Sequence, residues 1–307
     1  MVEPNRFTLN DETATTNSFQ HLPDDIGPEE VAARALKQHR ALQELLLSNG
    51  VTVTVARSAD DTPDAPFCNN WFSTHPAMAG LRDAYGMMEE DVPPTVVLYP
   101  MMAANRRRER RPELVRHILG RLYTRRIDMT HHEEVGRFLE STGSLCMHDQ
   151  ERTVYAALSP RTDPDLARAW ADKMGYRLIP FRALDEGAVP YYHTNVMMYV
   201  GHGLAAVCLE SIESPAERRQ VEESLEAQDV TVIPLTRAQV NHFAANALSL
   251  TNGQGERLLV MSTQGWHAYT DEQKSVVDEH CRVLHTDLTV FEDVGGGSAR
   301  CLIGELF

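Results

Sequence analysis

The sequence has no run of 18 or more apolar residues and no basic segment leading into an apolar one at its amino terminus. A membrane span and a secretory signal are therefore not expected. Positive charge is also scarce, because 29 lysines and arginines face 44 aspartates and glutamates, which gives a net charge of −15. This balance argues against nucleic acid or an anionic membrane as the main partner.

Closely spaced cysteines are missing as well. The chain contains five cysteines, an odd number, at Cys68, Cys146, Cys208, Cys281 and Cys301. None forms a Cys-x-x-Cys pair, so a disulfide scaffold and a zinc–cysteine site are disfavoured and a reducing cytoplasm fits. The 13 histidines include no His-Glu-x-x-His motif, and we interpret them as structural. We predict neither a metal site nor a cofactor.

The remaining composition is typical of a soluble globular protein, with 307 residues, 42% hydrophobic and 24% charged. The length allows one or two domains, and we predict a single catalytic domain over residues 1–307. A basic cluster, Arg106–Arg111, precedes Pro112 and a predicted helix. We interpret it as a solvated, ion-paired surface segment, with anion binding as the alternative.

From residue 144 onward one pattern recurs: two strands around a turn, a capped helix and a further strand. In the first copy, Asp163 begins the helix and Arg177–Phe181 is the closing strand. In the second copy, Val196 follows Leu145 by 51 residues, and the helix-capping Ser214 follows Asp163 by the same distance. The pattern predicts an internal repeat.

A third copy contains strands at 247–250 and 258–261, the capping box Thr270–Gln273 and a strand near Val283–Val290. A looser copy extends from Trp71 to Met129. The chain ends supply the parts of a fifth unit: predicted strands at Arg6–Leu9, Val51–Val55 and Cys301–Phe307, and a helix over 28–48.

A repeat of about 50 residues indicates an array that buries its core between neighbouring units. Pairing of the first and last strands would remove the exposed edges of an open array. We therefore predict an α/β fold of the five-bladed propeller type, with pseudo-fivefold ββαβ repeats and a ring closed by the N- and C-terminal strands. The competing fold, a doubly wound α/β sheet, needs longer alternation of single strands and helices than this chain contains.

Polar residues occupy matching places before the inner strand of successive units. They are Asn69 and Asn70, Glu140, His193 and Asn195, and Cys301. Taken singly, each has a plain structural explanation: a turn pair, the solvated end of a helix, a satisfied core histidine and a buried thiol. Their equivalent placement predicts that they meet in one axial pocket. A thiol with a nearby imidazole is the arrangement that covalent catalysis requires.

Several ordered motifs carry a resemblance that covers nearly the whole chain. They are Phe7–Ala14, Asn17–Gln20, Asn69–His75, Phe138–Ser144, Ala157–Thr162, His193–Asn195 and Gly295–Cys301. Together they resemble the guanidine-modifying superfamily of arginine deiminases, dimethylarginine hydrolases and amidinotransferases, and most closely its citrulline-utilisation hydrolases. The resemblance implies a five-bladed α/β propeller, a small amino-acid substrate and the absence of a cofactor. It leaves the number of subunits open, although members of the superfamily often form homodimers.

The resemblance also implies roles. Cys301 is the nucleophile, His193 the general acid and base, and Glu140 the group that orients His193 or holds the substrate head. Arg161 resembles the arginine that binds the substrate α-carboxylate. Arg300 is expected on the opposite face of a strand, and it is assigned no role. Residues 11–28 are open to three interpretations: a lid, a partner contact or a partly disordered segment.

Two departures bear on the substrate. The deiminases typically have aspartates where this chain has Asn70 and Asn195. An amide keeps a carbonyl acceptor and adds an NH2 donor, but it carries no negative charge. A neutral ureido group matches such a site better than a cationic guanidinium, which predicts hydrolysis of citrulline to ornithine, ammonia and carbon dioxide.

Three alternatives stay open. One is arginine deimination or amidino transfer on a cationic substrate. Another is a catalytically silent scaffold that only binds ligands, against which the presence of the cysteine, histidine and glutamate together argues. A papain-like protease fits poorly, because its cysteine would begin a helix near the amino terminus.

Overall fold

A computed structural model describes residues 1–23, 26–78 and 91–307. Four consecutive units each contain a three-stranded sheet, in which the first strand is antiparallel to the second and the second is parallel to the third. The strands are β3 (Phe72–His75), β4 (Thr95–Leu98) and β5 (Arg125–Asp128); β6 (Cys146–His148), β7 (Thr153–Ala157) and β8 (Arg177–Phe181); β9 (Met198–Gly201), β10 (Leu204–Val207) and β11 (Thr231–Pro234); and β12 (Leu248–Thr251), β13 (Arg257–Ser262) and β14 (Arg282–Thr286). This mixed α/β class was predicted and is confirmed.

Helices connect the second strand of each unit to the third. The longer ones are α5 (Pro164–Met174), α6 (Pro215–Glu226) and α9 (Asp271–His280), and the first unit has instead a π-helical turn, Leu114–Leu119, followed by α3 (Gly120–Leu122). Predicted caps are confirmed: the Asp163 side chain accepts from the backbone N–H groups of Asp165 and Leu166, and Thr270 and Gln273 form a capping box. The other helices are α1 (Asp11–Ala14), α2 (Pro28–Ser48), α4 (Ser141–Ser144), α7 (Arg237–Asn241), α8 (Thr263–His267), α10 (Thr289–Gly295) and α11 (Ala299–Leu302).

Neighbouring units share their core, as the repeat predicted. The largest apolar cluster runs continuously from Tyr155 and Phe181 through Met197 and Ala205 to Leu259. Inner strands also approach closely across the unit boundary, since a Cβ on Gly201 would lie 2.5 Å from Ser249 Oγ. The units therefore stabilise one another by burying apolar side chains at their boundaries.

The terminal unit differs from the prediction. No strand forms at Arg6–Leu9, Val51–Val55 or Cys301–Phe307. Instead β1 (Val2–Glu3) pairs in parallel with β2 (Ala56–Arg57). The structure thus has four three-stranded sheets and one two-stranded sheet in its described part, and none is closed, so the five-bladed ring is not confirmed.

Local hydrogen bonds explain why one predicted strand of the fourth unit is shorter than expected and why Cys301 does not begin a strand. The strand predicted near Val283–Val290 ends at Thr286, because the Asp287 carboxylate accepts from the backbone N–H and hydroxyl of Thr289 and turns the chain into α10. Near the carboxyl end, the Cys301 N–H donates to Ser298 O at 3.0 Å, so Cys301 lies in the helical turn α11. No described helix is long and apolar enough to cross a bilayer.

Candidate active site

Three turns that precede inner strands and the carboxyl-terminal turn α11 meet at one place. They are the 3₁₀ turns Cys68–Asn70 and Thr194–Val196 and the short helices α4 and α11. Hydrogen bonds join them: Ser141 Oγ donates to Phe72 O at 2.7 Å, and Thr194 Oγ1 donates to Ser144 O at 2.5 Å. These turns carry the amide, carboxylate, imidazole and thiol groups of the site.

The turns surround a small cleft of about 260 Å³, part of it open to solvent. Four of the predicted site residues line it: Asn70, Arg161, His193 and Cys301. All four are almost fully buried. Asn69 does not line the cleft; its Nδ2 donates to Thr142 Oγ1 at 3.2 Å and ties two turns together.

His193 and Glu140 form a buried pair. His193 Nε2 lies 2.8 Å from Glu140 Oε2, and because a carboxylate only accepts, Nε2 carries the hydrogen. Nδ1 then has a lone pair and no partner among the described residues. Burial lowers the pKa of His193 to about 4, although the bond to Glu140 opposes this. The resting imidazole is therefore neutral, as a general base must be.

Glu140 remains ionised although it is fully buried. Burial raises the pKa of this carboxyl, but the Arg161 charge and the His193 hydrogen bond outweigh it and lower the pKa to about 2. Arg161 Nη1 lies 3.6 Å from Glu140 Oε2, and the Met102 N–H donates to Glu140 Oε1 at 3.0 Å. These contacts fix the carboxylate, which in turn fixes the imidazole ring.

Gly143 allows this packing. A Cβ at this position would lie 2.5 Å from Asn70 Nδ2 and 2.7 Å from His193 Nδ1. Any side chain would displace both groups, so the glycine in the Thr142–Ser144 motif is required for close approach rather than for backbone conformation.

The Cys301 sulfur faces amides. Asn246 Nδ2 lies 3.3 Å from Sγ and Asn195 Nδ2 lies 3.7 Å from it. Burial raises the pKa of the thiol, and the hydrogen bonds from Asn246 and the Ser298 backbone oppose this only in part. The resting sulfur is thus a protonated thiol at neutral pH, which must lose its proton before it can attack.

Arg106 was predicted on a solvated surface, and that prediction is wrong. The side chain is buried because its charge is matched inside the protein: Nε donates to Glu109 Oε1 at 2.8 Å, and Nη2 donates to Phe67 O at 3.0 Å. Nη1 donates to Asn70 Oδ1 at 2.8 Å. This last bond orients the Asn70 amide, so its NH2 group is the part left for a ligand.

The family whose description is N,N dimethylarginine dimethylhydrolase, eukaryotic, matches residues 3–307, nearly the whole chain. The chain belongs to this family. It is therefore a member of the guanidine-modifying superfamily of arginine deiminases and amidinotransferases, as the sequence motifs predicted. No curated protein sequence matches the chain.

Solved structures similar to this dimethylarginine dimethylhydrolase family member share its fold. ArgZ, an arginine dihydrolase from the ornithine-ammonia cycle in cyanobacteria, is 18% identical, with a TM-score of 0.70 over 98% of this chain and 39% of that one. AgrE in complex with L-arginine is 20% identical, with a TM-score of 0.71 and the same coverage. A dimethylarginine dimethylaminohydrolase adduct with 4-chloro-2-hydroxymethylpyridine is 18% identical, with a TM-score of 0.61, over 98% and 96% of the chains. The chain thus spans about two fifths of the full ArgZ and AgrE chains.

The amino-terminal segment of this family member contributes to the lining of the cleft. Thr13 and Asn17 line it, and Arg161 Nη2 donates to Thr13 O at 2.9 Å and to Thr16 Oγ1 at 2.7 Å. Arg161 also lies over the Tyr192 ring, 5.0 Å from its centroid. Of the segment 11–28, residues 24–25 lie outside the described residues.

Asp64 is a further cleft residue that sequence reasoning missed. Its Oδ2 accepts from Asn10 Nδ2 at 2.8 Å and from Thr13 Oγ1 at 2.9 Å. Its Oδ1 is buried and has no hydrogen-bond partner in the described ranges. Asp64 lies in the irregular stretch before Asn69, so no periodic signal marks it. The cleft therefore contains cationic, anionic and amide groups suited to an amino-acid ligand.

Proposed function

We propose that the protein hydrolyses the carbon–nitrogen bonds of a ureido amino acid through a covalent intermediate on Cys301, and that citrulline is its substrate. The family and its structural relatives carry the names of hydrolases of arginine and methylated arginine, which supports the general reaction class. The specific substrate rests on the polar groups of the cleft.

The observation that carries the proposal is the orientation of Asn70. Because Arg106 occupies its carbonyl oxygen, Asn70 offers a ligand an NH2 donor. A guanidinium consists only of donors and finds no acceptor in that group, whereas a ureido oxygen accepts from it. A hydrogen bond of this kind is worth roughly 0.5–1.5 kcal/mol, and leaving a buried donor unpaired costs roughly 1–3 kcal/mol.

The proposed reaction begins when His193 removes the thiol proton of Cys301 and the sulfur attacks the ureido carbon. A carbon–sulfur bond forms, the carbon–nitrogen bond to the terminal NH2 breaks, and that nitrogen leaves as ammonia with the proton from His193. Water, deprotonated by His193, then attacks the thiocarbamate carbon and releases the thiol. The carbamate product loses carbon dioxide to give ornithine, so one water is consumed in all.

Glu140 supports both proton transfers. Its carboxylate lies 2.8 Å from His193 Nε2, so the imidazolium that forms at each step is next to a fixed negative charge. Arg161 and Arg106 are cations that line the cleft, and we assign Arg161 to the substrate α-carboxylate. Asp64 Oδ1 is an acceptor for the substrate ammonium group.

An ammonia-release screen over citrulline, arginine, agmatine and methylated arginines tests the proposal. We expect the highest kcat/KM with citrulline, ornithine as product, and loss of activity in Cys301→Ala. Turnover of arginine to citrulline far above turnover of citrulline would reject the proposed substrate. Full activity in Cys301→Ala would reject the proposed mechanism.

A second candidate is hydrolysis of arginine or a methylarginine. The unpartnered Asp64 Oδ1 and the Glu140 carboxylate are acceptors that a guanidinium could use. The products distinguish the candidates: citrulline with one ammonia from arginine, citrulline with an alkylamine from a methylarginine, or ornithine with carbon dioxide and one ammonia from citrulline. Transfer to an acceptor would give an amidinated compound instead.

Three broader features belong to the same proposal. The amino-terminal part of the chain contributes the two-stranded sheet β1–β2 and the helix α2, which supports a fifth unit and a pseudo-fivefold arrangement. Five free cysteines are consistent with a cytoplasmic enzyme.

A homodimer is the expected assembly, and sedimentation at several protein concentrations measures it.

A further inference from the structure

In the fourth unit, Asn246 is the residue whose side chain lies nearest the sulfur of Cys301, the proposed nucleophile. It lies two residues before the first residue of β12, much as Asn195 lies three residues before the first residue of β9, and the two asparagines are 51 residues apart. Its side chain is fully buried, and its Nδ2 lies 3.3 Å from Cys301 Sγ. Two neighbouring repeat units thus each direct an amide at the sulfur.

The orientation of the Asn246 amide is determined by its other bonds. Oδ1 accepts from the Arg300 backbone N–H at 3.1 Å, and Nδ2 donates to the Asn195 backbone carbonyl at 3.0 Å. A flipped amide would place a donor against the Arg300 N–H and an acceptor against the Asn195 carbonyl. One N–H of the Asn246 amide is therefore left for the sulfur.

The charged and titratable groups around Cys301 do not replace this donor. Arg300, on the same helical turn, is bonded to Glu305 at 2.8 Å and to Ile303 O at 3.1 Å. The hydroxyl of Tyr192 donates to Gly296 O. The Glu292 carboxylate accepts from Ser298 Oγ at 2.6 Å. Across the cleft lie His193, which is bonded to Glu140, and the residues Asp64, Arg106 and Arg161.

We propose that Asn246 is a catalytic residue that stabilises the Cys301 thiolate by donating its Nδ2 hydrogen to the sulfur. This role rests on the proposed function, because it requires Cys301 to be the nucleophile. A buried thiolate needs either a cation or hydrogen-bond donors, and an N–H donor bonded to an anion is stronger than one bonded to a neutral acceptor. When the sulfur is protonated, its hydrogen can instead point to Asn246 Oδ1, 3.6 Å away.

The test is the pH dependence of Cys301 alkylation by iodoacetamide, followed on its own peptide by mass spectrometry. Asn246→Ser removes the Nδ2 donor that lies 3.3 Å from the sulfur and leaves a shorter hydroxyl in its place. We expect the apparent thiol pKa to rise by about one unit, so that alkylation at pH 7.5 slows about tenfold, while the two rates converge only once the pH exceeds both thiol pKa values. Asn246→Asp places a negative charge at the sulfur and should slow alkylation more, by about a hundredfold.

Asn252→Ala is the matched control, because Asn252 is a buried asparagine at the other end of β12 whose Nδ2 donates to Asn49 O at 3.0 Å. It removes comparable hydrogen bonds away from the sulfur and should leave the alkylation profile unchanged. An unchanged profile in folded Asn246→Ser overturns the proposal. Alkylation needs no substrate, so this outcome is distinct from failure of the proposed function, which Cys301→Ala reports through ammonia release.

Discussion

The two sides of the cleft differ in charge. One side holds a line of ionisable groups, with His193 2.8 Å and Arg161 3.6 Å from the same oxygen of Glu140. The other side presents amides, with Asn246 and Asn195 at 3.3 Å and 3.7 Å from the sulfur. Proton transfer is thus concentrated on the charged side, while the groups of the amide side carry no charge and act only as hydrogen-bond donors or acceptors. Substitutions that remove a titratable group from the cleft, or replace one of its amides by a carboxylate, test this difference between the two sides.

The largest effect is expected from His193→Ala, which removes the proton carrier of the charged side. General acid–base catalysis contributes about 10²–10⁴-fold, so kcat for ammonia release from citrulline should fall by about 10³-fold. Stoichiometric labelling of Cys301 by a haloacetamidine, blocked by citrulline, should persist and show that the pocket is intact. A kcat close to that of the unaltered enzyme would mean that another group transfers the proton.

Glu140→Gln should lower kcat less, by about 10²-fold, because the imidazole remains but the imidazolium loses its ionised neighbour. Steady-state kinetics should show the loss in kcat more than in KM, since the interaction strengthens as the charge develops. Glu133→Gln is the matched control. Glu133 accepts from the Met101 N–H at 2.8 Å, next to the Met102 N–H that Glu140 accepts, but it pairs with Arg110 outside the cleft. Equal losses in both variants would indicate a structural role for Glu140.

Asn70→Asp tests the amide that lies next to the charged side, beside Arg106 and Gly143. It adds a carboxylate oxygen where the NH2 group now faces a ligand, which favours a donor-rich guanidinium by roughly 1.5–3 kcal/mol. The kcat/KM ratio of arginine over citrulline should rise by about 10–100-fold. Asn69→Asp should leave this ratio unchanged, because Asn69 bonds Thr142 and does not line the cleft. A ratio unaffected by Asn70→Asp would remove the main support for a ureido substrate.

The sequence predicted the repeated units well because their signals are local. Asp163 and Thr270 cap helices through bonds to residues two or three positions away, and the strand Arg177–Phe181 appears at its predicted bounds. The predicted strand Val51–Val55 consists entirely of β-branched residues, yet β1 offers only two residues for pairing. Strand formation depends on a partner edge, which local composition does not reveal.

The site was predicted in part for the same reason. Asn70, His193 and Cys301 were found by their equivalent places in the repeat, and Asn246 could have been found by its distance of 51 residues from Asn195. Arg106 was misplaced because a run of arginines normally lies in solvent, and only the fold shows that Glu109 and Asn70 enclose this one. Buried polar groups are explained by their tertiary partners.

The smallest expected effect is a loss of folding stability at acidic pH that comes from the buried imidazole of His193. Burial lowers the pKa of His193 to about 4, whereas an unfolded histidine titrates near 6.5. The unfolded state therefore binds more protons as the pH falls below about 6.5, and stability decreases until the pH reaches about 4. His193 alone should reduce the free energy of unfolding by about 2 kcal/mol between pH 7 and pH 5.

His193→Gln keeps a polar side chain without this titration, so urea unfolding at the two pH values should show a smaller loss than in the unaltered protein. His39 and His75 have pKa values lowered by burial to about 3 and about 4 and remain in both proteins. They add the same acid sensitivity to each, so the difference between the two proteins isolates His193. An identical loss in both would mean that His193 titrates alike in the folded and unfolded states. A smaller loss in the unaltered protein would mean that the imidazole is protonated beside Glu140 in the folded state, and the charged side would then begin catalysis as an ion pair.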